Sequence, residues 1–320
     1  MTTLEVIEDY TRLRAFQSEW SELLRKLPVR PFQRPEWLLC WWLHFGSGTL
    51  RAMVFRHTGE VAGVLPCFLH PWNGLRQLTL VGSGVSDFLD PLFEPGWVSD
   101  IVQCLRRELQ SRTDWDVCNW QDLSRDTPLT LLGTVLDETP CSAIDLSQPF
   151  DAFQAERPKD LKRNLRRYRS KAEAIASVTF EVTENADSEL MDALVRLHSA
   201  RWAVSGQSGM IAANRSEAFL RQVAELFAAN GWLRVFTVRF GARIAAILLA
   251  FRDNEAIYSY LSAFDPEYEQ FGFGRELLAQ AIRYAHEHGY RRWEFLRGDE
   301  PYKFSWGAQV IPKCRVVIRS

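Results

Sequence analysis

The segment Asp265-Pro266-Glu267-Tyr268-Glu269-Gln270-Phe271-Gly272-Phe273-Gly274-Arg275 restricts the fold of this chain more than any other. It runs from a strand pattern straight into a helix pattern. Three strand patterns precede it in a row, at 232–239, 243–252 and 256–262. A helix pattern follows over 273–288, stopped by Gly289, and then a strand pattern over Arg291–Leu296. Two glycines one residue apart at a helix start permit a tight turn and leave several N–H groups facing outward. Such a nest, with the helix dipole behind it, suits an anionic group such as a pyrophosphate. The third glycine of a dinucleotide fingerprint is missing, and so is the phosphate-binding P-loop pattern. A plain turn with a helix cap is the competing reading.

The rest of the chain reads as strands alternating with helices, an α/β (α+β, mixed-sheet) pattern. Its 320 residues are enough for two domains, and a boundary is expected near 145. In the first half, helix patterns at 10–26 and 35–45 precede a hairpin, Leu50–Arg56 and Val61–His70, joined at Thr58-Gly59-Glu60. A Gly/Ser/Asp-rich loop, Gly82 to Asp90, a helix pattern at 97–111 and a strand near Trp115–Trp120 follow. The second half opens with a basic helix over Lys159–Ala176. Then come a strand over Val178–Val182 and helices at 187–201 and 215–229. A last strand is expected over Lys313–Arg319. The two halves loosely repeat one order of elements, although no short-period repeat accompanies it.

Composition narrows the function classes. The longest apolar run, Ile244–Phe251, has the length of a buried strand, and no segment reaches a membrane span. The acidic start, without a basic or apolar block, predicts no signal segment and a cytoplasmic chain, with peripheral contact to an anionic membrane as an option. The 6 cysteines (Cys40, Cys67, Cys104, Cys118, Cys141, Cys314) form no C-x-x-C pair and read as buried thiols, with no metal site expected. Net charge is −2 overall, but the second half is positive because Arg157 to Lys171 holds eight basic residues against one acid. That run reads either as a solvated face or as a contact for RNA phosphate, anionic lipid or a substrate phosphate. No DNA-reading motif accompanies it.

Three groups of residues carry candidate chemistry. In Phe295-Leu296-Arg297-Gly298-Asp299-Glu300-Pro301-Tyr302-Lys303, a strand ends in a polar cluster, the usual place for catalytic groups. Acyl transfer to an amine needs a base, oxyanion donors and an acid for the leaving group. Glu300 or Asp299 can serve as the base, Tyr302 as the acid, and Lys303 or Arg297 as an anion contact; a salt-bridged structural loop is the alternative. His198 is a third candidate base, and Arg201 one turn on would depress its pKa. Asp87 or Asp90, in the Gly82–Asp90 loop, can face a cleft between the halves and hold a cationic amine, or else serve an Asx turn. Arg201, Trp202, Tyr260 and Trp306 complete the candidate substrate contacts.

On these residues the chain resembles acyltransferases of the GNAT superfamily in the FemAB-related, CelD-like group. The likeness rests on Pro31-Phe32-Gln33-Arg34-Pro35-Glu36-Trp37 and Gly82–Asp90 in the first half. In the second it rests on Lys162–Arg167, Leu197-His198, Arg201-Trp202, Gly274–Gly289 and Phe295–Lys303 with Trp306-Gly307. It implies tandem GNAT-like acyltransferase domains: 1–145, binding the acceptor, and 146–320, binding the acyl donor and catalysing. The implied activity is an N-acyltransferase moving an acyl group from acyl-CoA to an amine on a small molecule, a lipid or an envelope or polysaccharide precursor. Acyl-CoA is then a co-substrate held at Phe271, Gly272, Phe273, Gly274 and Arg275, with no tightly bound cofactor. The family's pyrophosphate loop usually carries Gln or Arg three residues before its first glycine, where this chain has Glu269. The Fem branch uses aminoacyl-tRNA, but the chain lacks the branch's helical arm, so CoA is the favoured donor. A non-catalytic binding or assembly protein on the same fold is the rival reading.

Overall fold

A computed structural model of the chain describes residues 2–204 and 214–320. Its contacts form two units, Met1–Pro140 with Pro312–Ser320, and Cys141–Ile311. The sequence puts the whole C-terminus in the second domain. Instead, the end of the last strand belongs to the first unit, because its Lys313–Arg319 stretch pairs there.

The first unit holds strand β1 (Thr2–Ile7) and helices α1 (Tyr10–Ala15), α2 (Gln17–Leu24) and α3 (Pro35–Phe45). Strands β2 (Thr49–His57), β3 (Glu60–Trp72), β4 (Leu75–Leu80) and the short β5 (Leu92–Phe93) follow, then α4 (Val98–Ser111) and β6 (Val117–Ser124). Strand β7 (Thr134–Asp145) leads into the second unit. There the chain forms α5 (Phe150–Glu156), α6 (Lys159–Glu173), β8 (Val178–Thr183), α7 (Ser188–Val204), α8 (Asn214–Ala229) and β9 (Leu233–Phe240). It continues with β10 (Arg243–Arg252), β11 (Ala256–Phe264), α9 (Phe273–Glu287), β12 (Arg292–Arg297), α10 (Pro301–Ser305) and β13 (Gln309–Arg319). Two elements differ from expectation. Residues 10–26 form two helices, broken at Phe16, and Thr2–Ile7, to which the sequence pattern assigns no element, is a strand.

Both units have the same strand plan. In the first the order is β1-β2-β3-β4-β6-β13, and in the second β8-β9-β10-β11-β12-β7. Within each, the fourth and fifth strands run parallel and the other neighbours antiparallel. The closing strand of the first unit comes from the chain's C-terminus, and that of the second from its middle. In the second unit, Ile244–Phe251 of β10 is buried throughout, as a strand covered on both faces must be. The buried stripe of α9 is Phe273, Leu277, Ala281 and Ala285 at i, i+4 spacing. The alanines bring the helix close to the sheet, and each large apolar side chain buried there contributes about 1.5–3 kcal/mol.

In the first unit the parallel strands β4 and β6 pair at Gln77–Leu78 with Val117–Cys118 and then part. The 82–90 loop fills the gap: Phe88 is fully buried, and the Leu89 N–H donates to the Asp122 carbonyl at 2.8 Å. Asp90 accepts from the Ser124 N–H at 2.9 Å and its hydroxyl at 2.6 Å, and pairs with Arg30 at 3.4 Å. Gln33 donates to the Asp90 carbonyl at 2.9 Å, and the Trp37 indole donates to the Ser86 hydroxyl at 2.8 Å. The remaining void, about 10 Å³ beside Phe32 and Leu89, holds one water at most. Asp87 is itself buried in this plugged loop, and the structure thus corrects its reading as a residue open to an amine.

Beneath the plug, Lys313 is wholly buried and meets Asp122 at 2.5 Å. Removing one member of such a pair leaves an uncompensated charge. Asp122 has φ +60°, a conformation that Asn tolerates, so Asp122→Asn isolates the charge. Asp122→Asn should lower the unfolding free energy by about 3 kcal/mol in urea titrations. Adding Lys313→Met should restore most of the loss. An unchanged urea midpoint in the single variant would show that the lysine has another source of compensation.

Candidate active site

The parallel pair of the second unit opens a cleft where that of the first is plugged. Strands β11 and β12 are paired over Ala256–Tyr258 with Arg292–Glu294 and then separate. Each carries a bulge where they part. Between β10 and β11 the register passes from Leu249/Leu261 to Ala250/Ser259, leaving Tyr260 as the extra residue. Between β12 and β7 it passes from Glu294/Ala143 to Leu296/Ser142, leaving Phe295 extra. Just beyond, Leu296 is a bulky residue at φ +62° and Gly298 lies at φ +106°. Such left-handed backbone is costly for leucine and persists only where its surroundings enforce it.

The space between the parted strands is a cavity of about 380 Å³. Ser259, Ser262 and Phe264 line one wall, and Phe295, Tyr302 and Trp306 the other. Its floor is the turn from Gly272 to Arg275. The sequence expectation of a glycine turn connected to the polar loop therefore has a physical counterpart, one cavity touching both.

The turn is built by its glycines and by aromatic anchors. Asp265 accepts from the Glu267 N–H at 3.1 Å and starts a 3-10 turn that ends at Gly272, φ +61°. Helix α9 begins directly afterwards, and no side chain caps it. The N–H groups of Phe273 and Gly274 are therefore left for solvent or a ligand, while that of Arg275 donates to the Gly272 carbonyl at 2.9 Å. A Cβ on Gly272 would come within 3.0 Å of the Tyr168 ring, and one on Gly274 within 3.0 Å of the Phe264 ring. Phe271 and Phe273 are core side chains, 5% and 3% exposed. They hold the turn by packing, so only their backbone is offered to a ligand. Arg275 and Glu269 are exposed, and both line the cavity.

The basic helix α6 supplies the third side of the site, which sequence reasoning did not connect to the glycine turn. Leu161, Leu165, Tyr168 and Ala172 form its inward stripe, and Leu161 and Tyr168 reach the cavity. Arg167 lies 5.0 Å and Arg275 6.0 Å from the Tyr168 ring centre, and Lys171 lies 5.3 Å from that of Phe271. Arg169 pairs with the buried Glu276 of α9 at 3.0 Å, fixing the helix against the turn. The spacing of Leu161, Leu165 and Tyr168 was the available signal, since it shows which face looks inward.

At the polar loop the candidates separate. Lys303 is buried and committed to structure. Its ammonium donates to the carbonyls of Arg297 at 2.7 Å and Gly298 at 3.1 Å, reaches that of Leu296 at 3.5 Å, and pairs with Glu300 at 2.9 Å. It holds the strained 296–298 turn together and is not an open anion contact, which corrects that expectation. Burial is the largest influence on Glu300 and works to raise its pKa, but the Lys303 hydrogen bond, a backbone hydrogen bond and the charges of Lys303 and Arg201 together outweigh it, so the carboxyl lies below its ordinary range. Tyr302 is the loop residue that faces the cavity, and desolvation together with the Glu300 charge pushes its phenol up to about 12. Asp299 and Arg297 are exposed and are not part of the cavity wall.

Arg201, near the end of α7, lines the cavity with its guanidinium 5.2 Å from the Phe264 ring centre and 3.4 Å from the Ser262 carbonyl. His198 is 3% exposed, and burial first and Arg201 second lower its pKa. It is buried and does not line the cavity. Trp306 is both core and wall, and Tyr260 packs on Phe251 with ring centres 5.1 Å apart. The side chain of Trp202 lies outside the described residues.

Among the described residues no group of His, Cys, Asp and Glu can hold a metal ion, no cysteine is in a disulfide, and no helix is long and apolar enough to cross a membrane.

Residues 159–304 match the family model of an acetyltransferase (GNAT) domain. A search of curated protein sequences finds no match. Among solved structures, FemX is similar over 99% of this chain and 97% of its own, at 11% identity and a TM-score of 0.65. The C-terminal DUF2156 domain of a putative lysylphosphatidylglycerol synthetase from Agrobacterium fabrum is similar over 96% of this chain and 93% of its own, at 13% identity and TM-score 0.61. A tandem GNAT protein from the clavulanic acid biosynthesis pathway covers 99% of this chain and 98% of its own, at 14% identity and TM-score 0.55. Residues 159–304 thus match a GNAT domain model, and along its length the chain shares its fold with FemX and with the tandem GNAT protein.

Lys303 gives this geometry a direct test. Lys303→Met strips the donors from the 296–298 carbonyls and should cost about 3 kcal/mol of stability. The Glu300 pKa should return upward, followed by side-chain NMR titration. Because the folded pKa of Glu300 is depressed, its contribution to stability is complete above the unfolded value of about 4.3. That contribution disappears as pH falls through the folded value, and the variant should lose this acid dependence.

Proposed function

We propose that the GNAT domain catalyses N-acyl transfer from an acyl-CoA thioester to an amine. The observation that carries this reading is the single cavity joining the uncapped start of α9 to Tyr302. The donor's phosphates lie at Gly272–Arg275, its pantetheine arm runs between the parted strands, and its thioester lies beside Tyr302. The amine lone pair attacks the thioester carbon, the tetrahedral intermediate collapses, and the C–S bond breaks. The bulge backbone at Tyr260 and the Ser259 hydroxyl are the donors suited to the developing oxyanion. Tyr302, protonated across the physiological range, donates its proton to the departing sulfur, and the proton lost by the acceptor nitrogen returns through water to the tyrosinate. Arg201 and the ionised Glu300 together set the field at the reacting carbon.

The groups best placed for base catalysis are poor bases. Glu300 is held low by Lys303 and its other partners, and His198 does not line the cavity. The acceptor therefore reacts as the free amine, and its deprotonation limits the rate at neutral pH. The acceptor's class is an amine on a small molecule, a lipid or an envelope precursor. A lipid gains support from the neighbour named as a lysylphosphatidylglycerol synthetase. An aminoacyl-tRNA donor is a second reading, favoured by the exposed basic face of α6. It requires binding of charged tRNA that weakens steeply with salt.

Thiol release from acetyl- to long-chain acyl-CoA, measured against a panel of amines, should show turnover that rises with pH towards the pKa of the amine. Tyr302→Phe should lower kcat about a hundredfold while leaving KM for the donor near the wild-type value. No release from any thioester with any amine would remove the acyl-CoA reading, and a full-rate Tyr302→Phe variant would remove the tyrosine's role.

A further inference from the structure

The glycine turn has an electrostatic defect that the basic helix is placed to correct. Glu269 lines the cavity at the turn, is exposed, and makes no ion pair among the described residues. Alone it would repel the phosphates of a donor seated on the α9 amides. Many cations of the basic run are already used. Arg163 pairs with Asp160, Arg169 with Glu173 and Glu276, Lys162 donates to the Gln154 and Ala155 carbonyls, and Arg157 binds the Trp306 carbonyl. Arg167 and Lys171 are exposed and make no ion pair among the described residues, and neither does Arg275 of α9. These three lie over the aromatic rings that flank the turn, since Tyr168 packs on Gly272 and Phe271 precedes it.

We infer that Arg167 and Lys171 of α6, with Arg275, form a phosphate subsite over Gly272 that outweighs Glu269 and selects a phosphate-bearing thioester. This deepens the acyl-donor reading and rests on it. Tyr168 acts as the spacer: it holds Arg167 and Arg275 around one ring, leaving the guanidinium edges free for phosphate oxygens. A diphosphate brings enough negative charge to match three cations. The chemistry recognised is phosphate attached to a pantetheine thioester, which is present in CoA and in a phosphopantetheine arm. The assay therefore compares acyl-CoA, acyl-phosphopantetheine and acyl-pantetheine, the last without phosphate.

In the full chain, Arg167→Glu/Lys171→Glu should raise KM for acyl-CoA tenfold or more, leaving kcat and the KM for acyl-pantetheine unchanged. Glu269→Gln should act in the opposite direction, lowering KM for acyl-CoA and leaving acyl-pantetheine unchanged. Lys159→Glu makes an equal charge reversal per site about 18 Å along the helix from Lys171 and should change neither donor. A matching loss with acyl-phosphopantetheine places the contact at the phosphate next to the arm, and a loss confined to acyl-CoA places it at the nucleotide end. The subsite is overturned if the double variant leaves acyl-CoA unaffected, if it weakens acyl-pantetheine equally, or if Lys159→Glu reproduces it. Calorimetry with inorganic pyrophosphate separates the two levels of the argument. Should wild type turn over no thioester yet bind pyrophosphate, with loss in the double variant, the donor reading fails and the subsite stands. Should wild type bind no pyrophosphate and show no preference for acyl-CoA over acyl-pantetheine, the subsite itself fails.

Discussion

The parting of β11 and β12 is the constraint on which the second unit's site depends. Two parallel strands that stop pairing after three residues each leave backbone groups without partners, and buried groups of that kind are costly. The chain meets the cost in three ways. Bulges at Tyr260 and Phe295 turn each strand towards its other neighbour. Lys303 gathers the carbonyls of 296–298, where Leu296 holds a left-handed backbone. Phe264, Phe295 and Trp306 then line the wedge with apolar surface, so the opening stays a formed cavity instead of collapsing.

The two units show what the same plan yields with different fillings. In the first, β4 and β6 also part early, but Phe88 and the bonded loop from Ser86 to Asp90 occupy the gap. Helix α4 starts after Trp97, with no glycine of positive φ at its first turn. In the second unit the loop is short, the helix begins at Gly272, and the wedge is open. One duplicated architecture thus carries a closed wedge and an open one, and the difference lies in whether a large apolar side chain is available to enter.

The site was only partly legible in the sequence. The glycine turn was visible because positive φ at a helix start has a compositional signature, and Gly272 has that geometry. Tyr302 and Arg201 could be named as polar residues near strand or helix ends, and both face the cavity. Lys303 and Asp87 could not be read correctly, because whether a charged side chain points into a cleft or into the protein depends on partners supplied by other segments. Lys303 is absorbed by carbonyls created by the turn it stabilises, and those carbonyls have no sequence signal. Likewise nothing local says that Tyr168 packs on Gly272, a hundred residues later in the chain.

Sequence alone determined the succession from β9 to β12 through α9, the apolar run of β10, the stripe of α9 and the glycines of its first turn. These follow from local sterics and from the periodicity with which apolar residues recur. Tertiary structure decided which parallel pair opened, which of the charged residues faced solvent, and where the basic helix was laid. Those outcomes depend on hydrogen-bond accounting and packing between segments far apart in the chain, and no single segment contains both sides of that account.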